Sequence, residues 1–258
     1  MKWAFLILIF LFTLYSLLST LYSGEWDGRS RFTVVDLGPP VTVSSFDPAT
    51  HKGIRLVLPN ELEVVTSQGR GKLPAGSLVA AGSRSWAAES VASYLGIFHQ
   101  GEVSQLQWGD KLRWWWASRQ TEWRSVDLNQ AGLVRLRRTA DGEQVGELAP
   151  KWEQVGPEWF TSLVIAQARL AVRVINTTPV AGLAATAARE IESSGMQVVE
   201  VSNSPDEVDA CQIASPPSLR KSVGVQLLLR QFHCDWKERD QLTLYLGSQY
   251  RRQISGED

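Results

Sequence analysis

The chain has 258 residues, 44% of them hydrophobic and 21% charged, with 26 basic and 27 acidic side chains and a formal net charge of −1. That composition is globular rather than disordered, and the near balance of charge removes the electrostatic basis for nucleic-acid binding, which rests on neutralised phosphates. Only two cysteines and three histidines are present; Cys211, Cys234 and the adjacent His233 fall one ligand short of a structural zinc set, so neither metal nor cofactor is expected.

The opening "MKWAFLILIFLFTLYSLLSTLY" carries one charged side chain, Lys2. As a helix, residues 3–22 would be about 30 Å long, the thickness of a bilayer's hydrocarbon core. A cleaved export signal is the rival reading, but Leu21 sits where a small residue should stand before a cut at Ser23, so an uncleaved anchor is preferred. Both readings place the rest of the chain across the membrane, with the N-terminus cytoplasmic. A polar tether over 23–31 follows.

From Phe32 the pattern becomes strand-like: "FTVVDL", "VTVSSFD" and "IRLVLP" are short, β-branched and bounded by proline-containing turns. "SWAAESVASYLGIF" reads as a helix with Ala88, Val91 and Leu95 on one face, ending near Gly96. Between Trp108 and Arg138 the text is irregular, apart from a strand in "AGLVRLRR". "TADGEQVGELAP" is a turn-rich hairpin or linker, and "PEWFTSLVIAQARL" a helix within a connecting segment, 151–169.

The remainder reads as strand "LAVRVIN", helix "GLAATAAREIESSG" with Leu183, Ala187 and Ile191 as its buried stripe, strands "MQVVEVS" and "CQIAS", helix "SLRKSVGVQLLLRQFH" buried along Leu219, Val223 and Leu227, and a strand alternating Leu242, Leu244 and Leu246. The order β-α-β-β-α-β implies two helices packed on one sheet. The expected class is α/β (α+β): an anchor over 1–22, a mixed α/β domain over 32–150, a small layer domain over 170–252 and a tail over 253–258. One disulfide, Cys211–Cys234, suits an exported chain; two buried free thiols are the alternative.

The turn "NTTPVAGLA" has the strand, glycine and helix start from which phosphate cradles are built. It has one glycine, no lysine, and a proline that removes a donor, so a structural role is preferred. Thr178 is then the N-cap, Pro179 the first helical residue, and Gly182 a point of close helix–strand approach. Asn176-Thr177-Thr178 also matches the glycosylation pattern.

In "DKLRWWWASRQTEWRS", Arg113, Trp114, Trp115, Trp116 and Arg119 crowd together with Trp123 and Arg124. Exposed, these rings can stack on sugars or sit among lipid headgroups, and the arginines can meet anionic polymer. The structural alternative has Trp114 and Trp116 alternating into a core while Trp115 covers an edge. The structural reading carries more weight, yet this stretch is the best specific candidate for a binding surface. No nucleophile triad and no distinctive pair of carboxylates can be assembled from the sequence.

"VRVINTTPVAGLAATAAREIESSGMQVVEVSNSPD" and "DQLTLYLGSQY" resemble the LytR C-terminal domain, over roughly residues 170–252. "VSSFDPATHKGIRLVLPNELEV", "KLPAGSLVAAG" and "ESVASYLGI" resemble worn segments of the LytR-CpsA-Psr domain, whose active members move glycopolymer from a polyprenyl-pyrophosphate carrier to peptidoglycan. That resemblance implies guanidinium and carboxylate groups around a departing pyrophosphate. Here Pro59-Asn60-Glu61 stands where Pro-Arg-Asp would fall, Leu37-Gly38-Pro39 where Arg-Ser-Asp would fall, and the later Gly-Gly-Val-Asp has no counterpart. No catalytic residue is assigned. The expected role is that of a membrane-anchored, extracytoplasmic envelope protein, non-catalytic, binding or scaffolding towards wall glycopolymer or envelope proteins. The alternative is an active phosphotransferase with relocated groups, which would bring Asp47, Arg55 and Glu61 to one cavity.

Overall fold

The computed structural model describes Thr13, Tyr15, Gly24 and residues 26–139, 141–205, 208–248 and 250. The expected span over 1–22 lies outside them apart from Thr13 and Tyr15, and no helix among the described residues is long and apolar enough to cross a membrane.

Strands β1 (Phe32–Asp36), β2 (Thr42–Asp47) and β3 (Lys52–Val57) form an antiparallel meander, and β6 (Glu122–Asp127) joins β3 in parallel. Phe32 pairs with Phe46, so both rings leave the same face of the sheet; Val35 and Val43 leave the other. The second face meets α2 (Arg84–Leu95), whose Ala88, Val91 and Leu95 are buried as the spacing predicts, and which ends at Gly96 with φ 68°. Two hairpins, β4 (Glu63–Val65) with β5 (Lys72–Pro74) and β7 (Val134–Arg138) with β8 (Gln144–Leu148), extend this core beside the short helix α1 (Leu78–Ala81). The first face meets α3 (Trp108–Gln120), a helix where the sequence pattern gave only irregular text.

The expected single helix over "PEWFTSLVIAQARL" is two, α4 (Trp152–Phe160) and α5 (Leu163–Ala168). The break comes from outside the helix. Thr161 is extended, Ser162 Oγ accepts from the Arg31 backbone, and Asp47 Oδ2 accepts from Leu163 N at 2.7 Å, satisfying a helix-start donor.

In the C-terminal unit the sheet order is β10-β9-β13-β11-β12, built from β9 (Ala171–Asn176), β10 (Gln197–Asn203), β11 (Gln212–Ser215), β12 (Asp235–Glu238) and β13 (Thr243–Leu246). β12 is one strand more than the sequence pattern suggested; its side chains are mostly exposed, so it lacks an apolar alternation. Helices α6 (Leu183–Ser193) and α7 (Val223–Gln231) supply the core, with Leu183, Ala187, Ile191 and Leu227 buried. Leu219 falls in the turn before α7, and Val223 is only partly buried.

Two local expectations are corrected. The α6 N-cap is Gly182 at φ 88°, not Thr178, and a Cβ there would touch nothing, so its value is the left-handed conformation rather than close approach. Thr178 belongs instead to a turn organised by buried Asn176, whose Oδ1 accepts from Thr178 N and Oγ1 and whose Nδ2 donates to Val180 O. This amide is committed to the fold, which argues against both the cradle and the glycosylation reading.

Cys211 and Cys234 are joined, with Cα atoms 4.6 Å apart and a sequence separation of 23. They stand immediately before the paired residues Gln212 and Asp235 of the parallel strands β11 and β12. Replacing both by alanine removes a closed loop that contributes about 3 kcal/mol in the chain-entropy picture; the midpoint of chemical denaturation of the double variant should fall accordingly.

The two units meet along several polar contacts. Arg31 Nε donates to Thr161 O at 3.0 Å, Arg189 pairs with Glu153 at 3.3 Å and Arg230 with Asp27 at 3.5 Å, while Phe98 packs edge-on to Phe232. Glu190 on α6 is buried against Ser93 and Glu89 of α2 and against Tyr250, with Arg189 the nearest cation on its own helix. Burial pushes its carboxyl from 4.5 up to about 8, so it is largely protonated at neutral pH. Below the ordinary value both folded and unfolded chains hold the proton and nothing is lost. As pH rises towards 8 the unfolded chain ionises first, and folding loses up to about 1.4 kcal/mol per pH unit. Glu190→Gln should therefore match the parent in urea titrations at pH 4 and be more stable by about 2–3 kcal/mol at pH 7.

Candidate functional site

The tryptophan-rich stretch is helical, and helical spacing divides it into two seams. Residues at i, i+3, i+4 and i+7 share a face. Asp110, Arg113, Trp114 and Ala117 turn towards the sheet, while Trp108, Leu112, Trp115 and Trp116 turn outward. Trp114 sits 5.7 Å from Phe32, 5.4 Å from Phe46 and 5.7 Å from Trp123, ring centre to ring centre, in a second small core that also holds Trp26 and Leu106. Gly53 makes room for this core: a Cβ there would meet the Trp123 ring.

The outward seam is a different surface. Trp108, Leu112, Trp115 and Trp116 are 64%, 37%, 47% and 62% exposed, so three indoles and an isobutyl group share one solvent-facing side of α3. The alternating arrangement expected for a strand is thereby corrected: Trp114 alone of the three consecutive rings goes inward, and Trp116 lies outside with Trp115. A groove of about 720 Å³ runs beside them, floored by Trp26, Phe46 and Pro48 and walled by Leu112, Trp115 and Trp116. The predicted surface therefore splits, with Trp115, Trp116 and Arg119 outward and Trp114 and Arg113 towards the protein.

The arginines are not free poles. Arg119 lies over the Trp115 ring at 3.8 Å, a cation–π contact that fixes the indole's orientation. Arg113 donates to Trp26 O at 2.6 Å and lies 3.7 Å from the buried Asp110 carboxylate, which also accepts from Trp26 N at 3.4 Å. This tie sets where the chain enters the fold. Gly24 passes so close to Asp110 that a Cβ would run into its carboxylate. The apolar stretch 3–22 thus ends two residues before a point fixed against the first turn of α3.

The groups on which a pyrophosphate transferase would depend lie apart. Asp47 is buried and spends its oxygens on Ala49 N and Leu163 N; Arg55 is exposed, 3.5 Å from Ser44 Oγ and 5.3 Å from the Trp123 ring; Glu61 is exposed on a turn. None of the three lines the groove by α3 or the cleft between the two units. Among the described residues no group of three His, Cys, Asp or Glu side chains is placed to hold a metal ion.

The periodicity 108, 112, 115, 116 was available in the sequence, but the missing apolar partners on the opposite face hid it. The inward seam is polar at Asp110 and Arg113 and apolar only at Trp114 and Ala117. Trp114→Ala should destabilise the chain by about 2–4 kcal/mol, because it empties the small core. Trp116→Ser should cost much less, about 0.5 kcal/mol, since most of its ring already faces solvent. Chemical denaturation of the two variants checks this division.

No curated protein and no solved structure gives a significant match to the chain. The family model described as LytR cell envelope-related transcriptional attenuator matches residues 169–250. The five-stranded unit with its two helices is therefore a LytR C-terminal domain.

Proposed function

We propose that this chain is an envelope protein held at a membrane by residues 3–22, with its two folded units on the extracytoplasmic side and a binding or scaffolding role rather than a catalytic one. In this reading the N-terminal unit is a LytR-CpsA-Psr-like scaffold without its transfer chemistry. The observation that carries the non-catalytic reading is the separate engagement of Asp47, Arg55 and Glu61: a departing pyrophosphate needs several cations or a carboxylate-held metal at one place, and these three side chains line neither the groove by α3 nor the cleft between the units.

The outward face of α3 is the part of this protein that meets the membrane surface. Tryptophans favour the headgroup level, where an apolar ring and a polar N–H are both accommodated, and Arg119 beside Trp115 suits the same boundary. The chain's apolar stretch ends two residues before Gly24, which is fixed at the base of α3, so a bilayer crossed by residues 3–22 lies next to this face. A wall-polymer ligand on the same rings is the competing occupant.

The experiment is reconstitution of the full chain into nanodiscs containing lipids brominated near the headgroup. Tryptophan fluorescence should be quenched, and a Trp108→Phe/Trp115→Phe/Trp116→Phe variant should lose a large part of that quenching. Unchanged quenching would remove the membrane from α3, and failure of the chain to enter nanodiscs would remove the anchor. Turnover of a polyprenyl-pyrophosphate-linked saccharide, abolished by Arg55→Ala, would replace the whole reading with the phosphotransferase.

A further inference from the structure

Between the two units lies a cleft of about 400 Å³, within the range of small-ligand sites and separate from the α3 face. Both units build its wall. Glu89 and Ser93 come from α2, His99 from the segment after it, Glu190 from α6, Gln231 from the end of α7, and Tyr250 from beyond β13. Apolar patches from Ile97, Leu106 and Phe232 alternate with these groups.

The charges in this wall are largely cancelled within the protein. Glu102 is buried and bound by Arg84 at 2.7 Å, and Arg230 pairs with Asp27 at 3.5 Å. What remains is hydrogen-bonding capacity that the fold does not use. Glu89 and Gln231 are only partly buried, and among the described residues neither side chain is held by a hydrogen bond; burial raises the titration of Glu89, whose carboxylate faces the carboxyl of Glu190. Glu190 is already bonded to Ser93, while the amide of Gln231 and the hydroxyl of Tyr250 each donate and accept. An anion would meet Glu89 with no unpaired cation to hold it. A hydrocarbon would strand these polar groups without partners, at a cost. A ligand with many hydroxyls, each both donor and acceptor, and apolar ring faces between them fits both halves of the wall.

We propose that this cleft binds a neutral saccharide unit of an envelope glycan, gripped between the LytR C-terminal domain and α2 of the preceding unit. The proposal deepens the envelope-binding reading and rests on it for the choice of glycan, but it does not depend on where α3 sits. Since the walls belong to different units, an occupied cleft also ties the units together.

The test is calorimetry on the full chain in detergent micelles, with N-acetylglucosamine trimer and maltotriose as separate titrants. Saturable binding of at least one is expected, weakened about tenfold by Glu89→Ala and by Gln231→Ala, as loss of one good hydrogen bond in a closed site would give. Neither side chain holds a hydrogen bond among the described residues, and removing Glu89 only relieves its like-charge contact with Glu190, so melting of each variant no lower than the parent's confirms that the cleft is still assembled. The Trp108/Trp115/Trp116→Phe variant should bind as the parent does. Absence of heat with both trisaccharides overturns the proposal, as does binding indifferent to both cleft variants. In the second case, retention of the chain by purified wall material leaves the envelope reading standing and refutes only the cleft. Failure of the chain to enter nanodiscs, by contrast, strikes the anchor and leaves the cleft result intact.

Discussion

Burial of the four-stranded sheet on both faces organises the N-terminal half. Phe32 and Phe46 on one side and Val35 and Val43 on the other must each find a cover, so the sheet needs a helix on both sides. On one side α2 answers with small and branched side chains closely packed. On the other, α3 has only Trp114 and Ala117 to offer, and the aromatic cluster with Trp26 and Trp123 fills the remaining space. An arrangement in which one large ring does most of the inward packing leaves the helix's other apolar residues outside, and that surplus is what makes α3 a surface rather than a core element.

The same sheet also fixes the relation between the units. Asp47, at the end of β2, caps the start of α5, and Arg31, just before β1, is held by the carbonyl of Thr161; burial lowers the arginine's proton affinity, and Asp47 opposes that loss. Asp47, which the phosphotransferase reading would place in chemistry, is thus occupied in holding the chain's second half. Farther along the seam the units leave room rather than pack, and Glu190 is kept uncharged between Glu89 and Tyr250. A seam with a closed polar end and an open polar cleft is rigid at one point and accommodating at another.

Much of this was legible where periodicity is strong and local. The stripe of Leu183, Ala187 and Ile191, the alternation of Leu242, Leu244 and Leu246, and the stop at Gly96 follow from helix and strand geometry alone. The Cys211–Cys234 bond was legible because only one pairing was possible. What escaped was decided by distant partners. The break between α4 and α5 is imposed by Asp47 from 116 residues away. The helix α3 is anchored through Trp114 on rings about 70 and 80 residues earlier in the chain, and the start of α6 is displaced to Gly182 because Asn176 claims Thr178 for its own turn. The cleft wall could not be read at all, since its residues are scattered from α2 to Tyr250 and share no spacing.

The disulfide has a consequence for neighbours as well as for stability. A sheet's outermost strands are where identical molecules trade segments or stack edge to edge. One border of the C-terminal sheet, β12, is stitched through Cys234 to Cys211 beside the adjacent β11, so that segment cannot leave its own molecule without breaking a covalent bond. Exchange of a border strand of this sheet must then involve the opposite border, β10, where Val199 and Val201 stand half exposed to solvent.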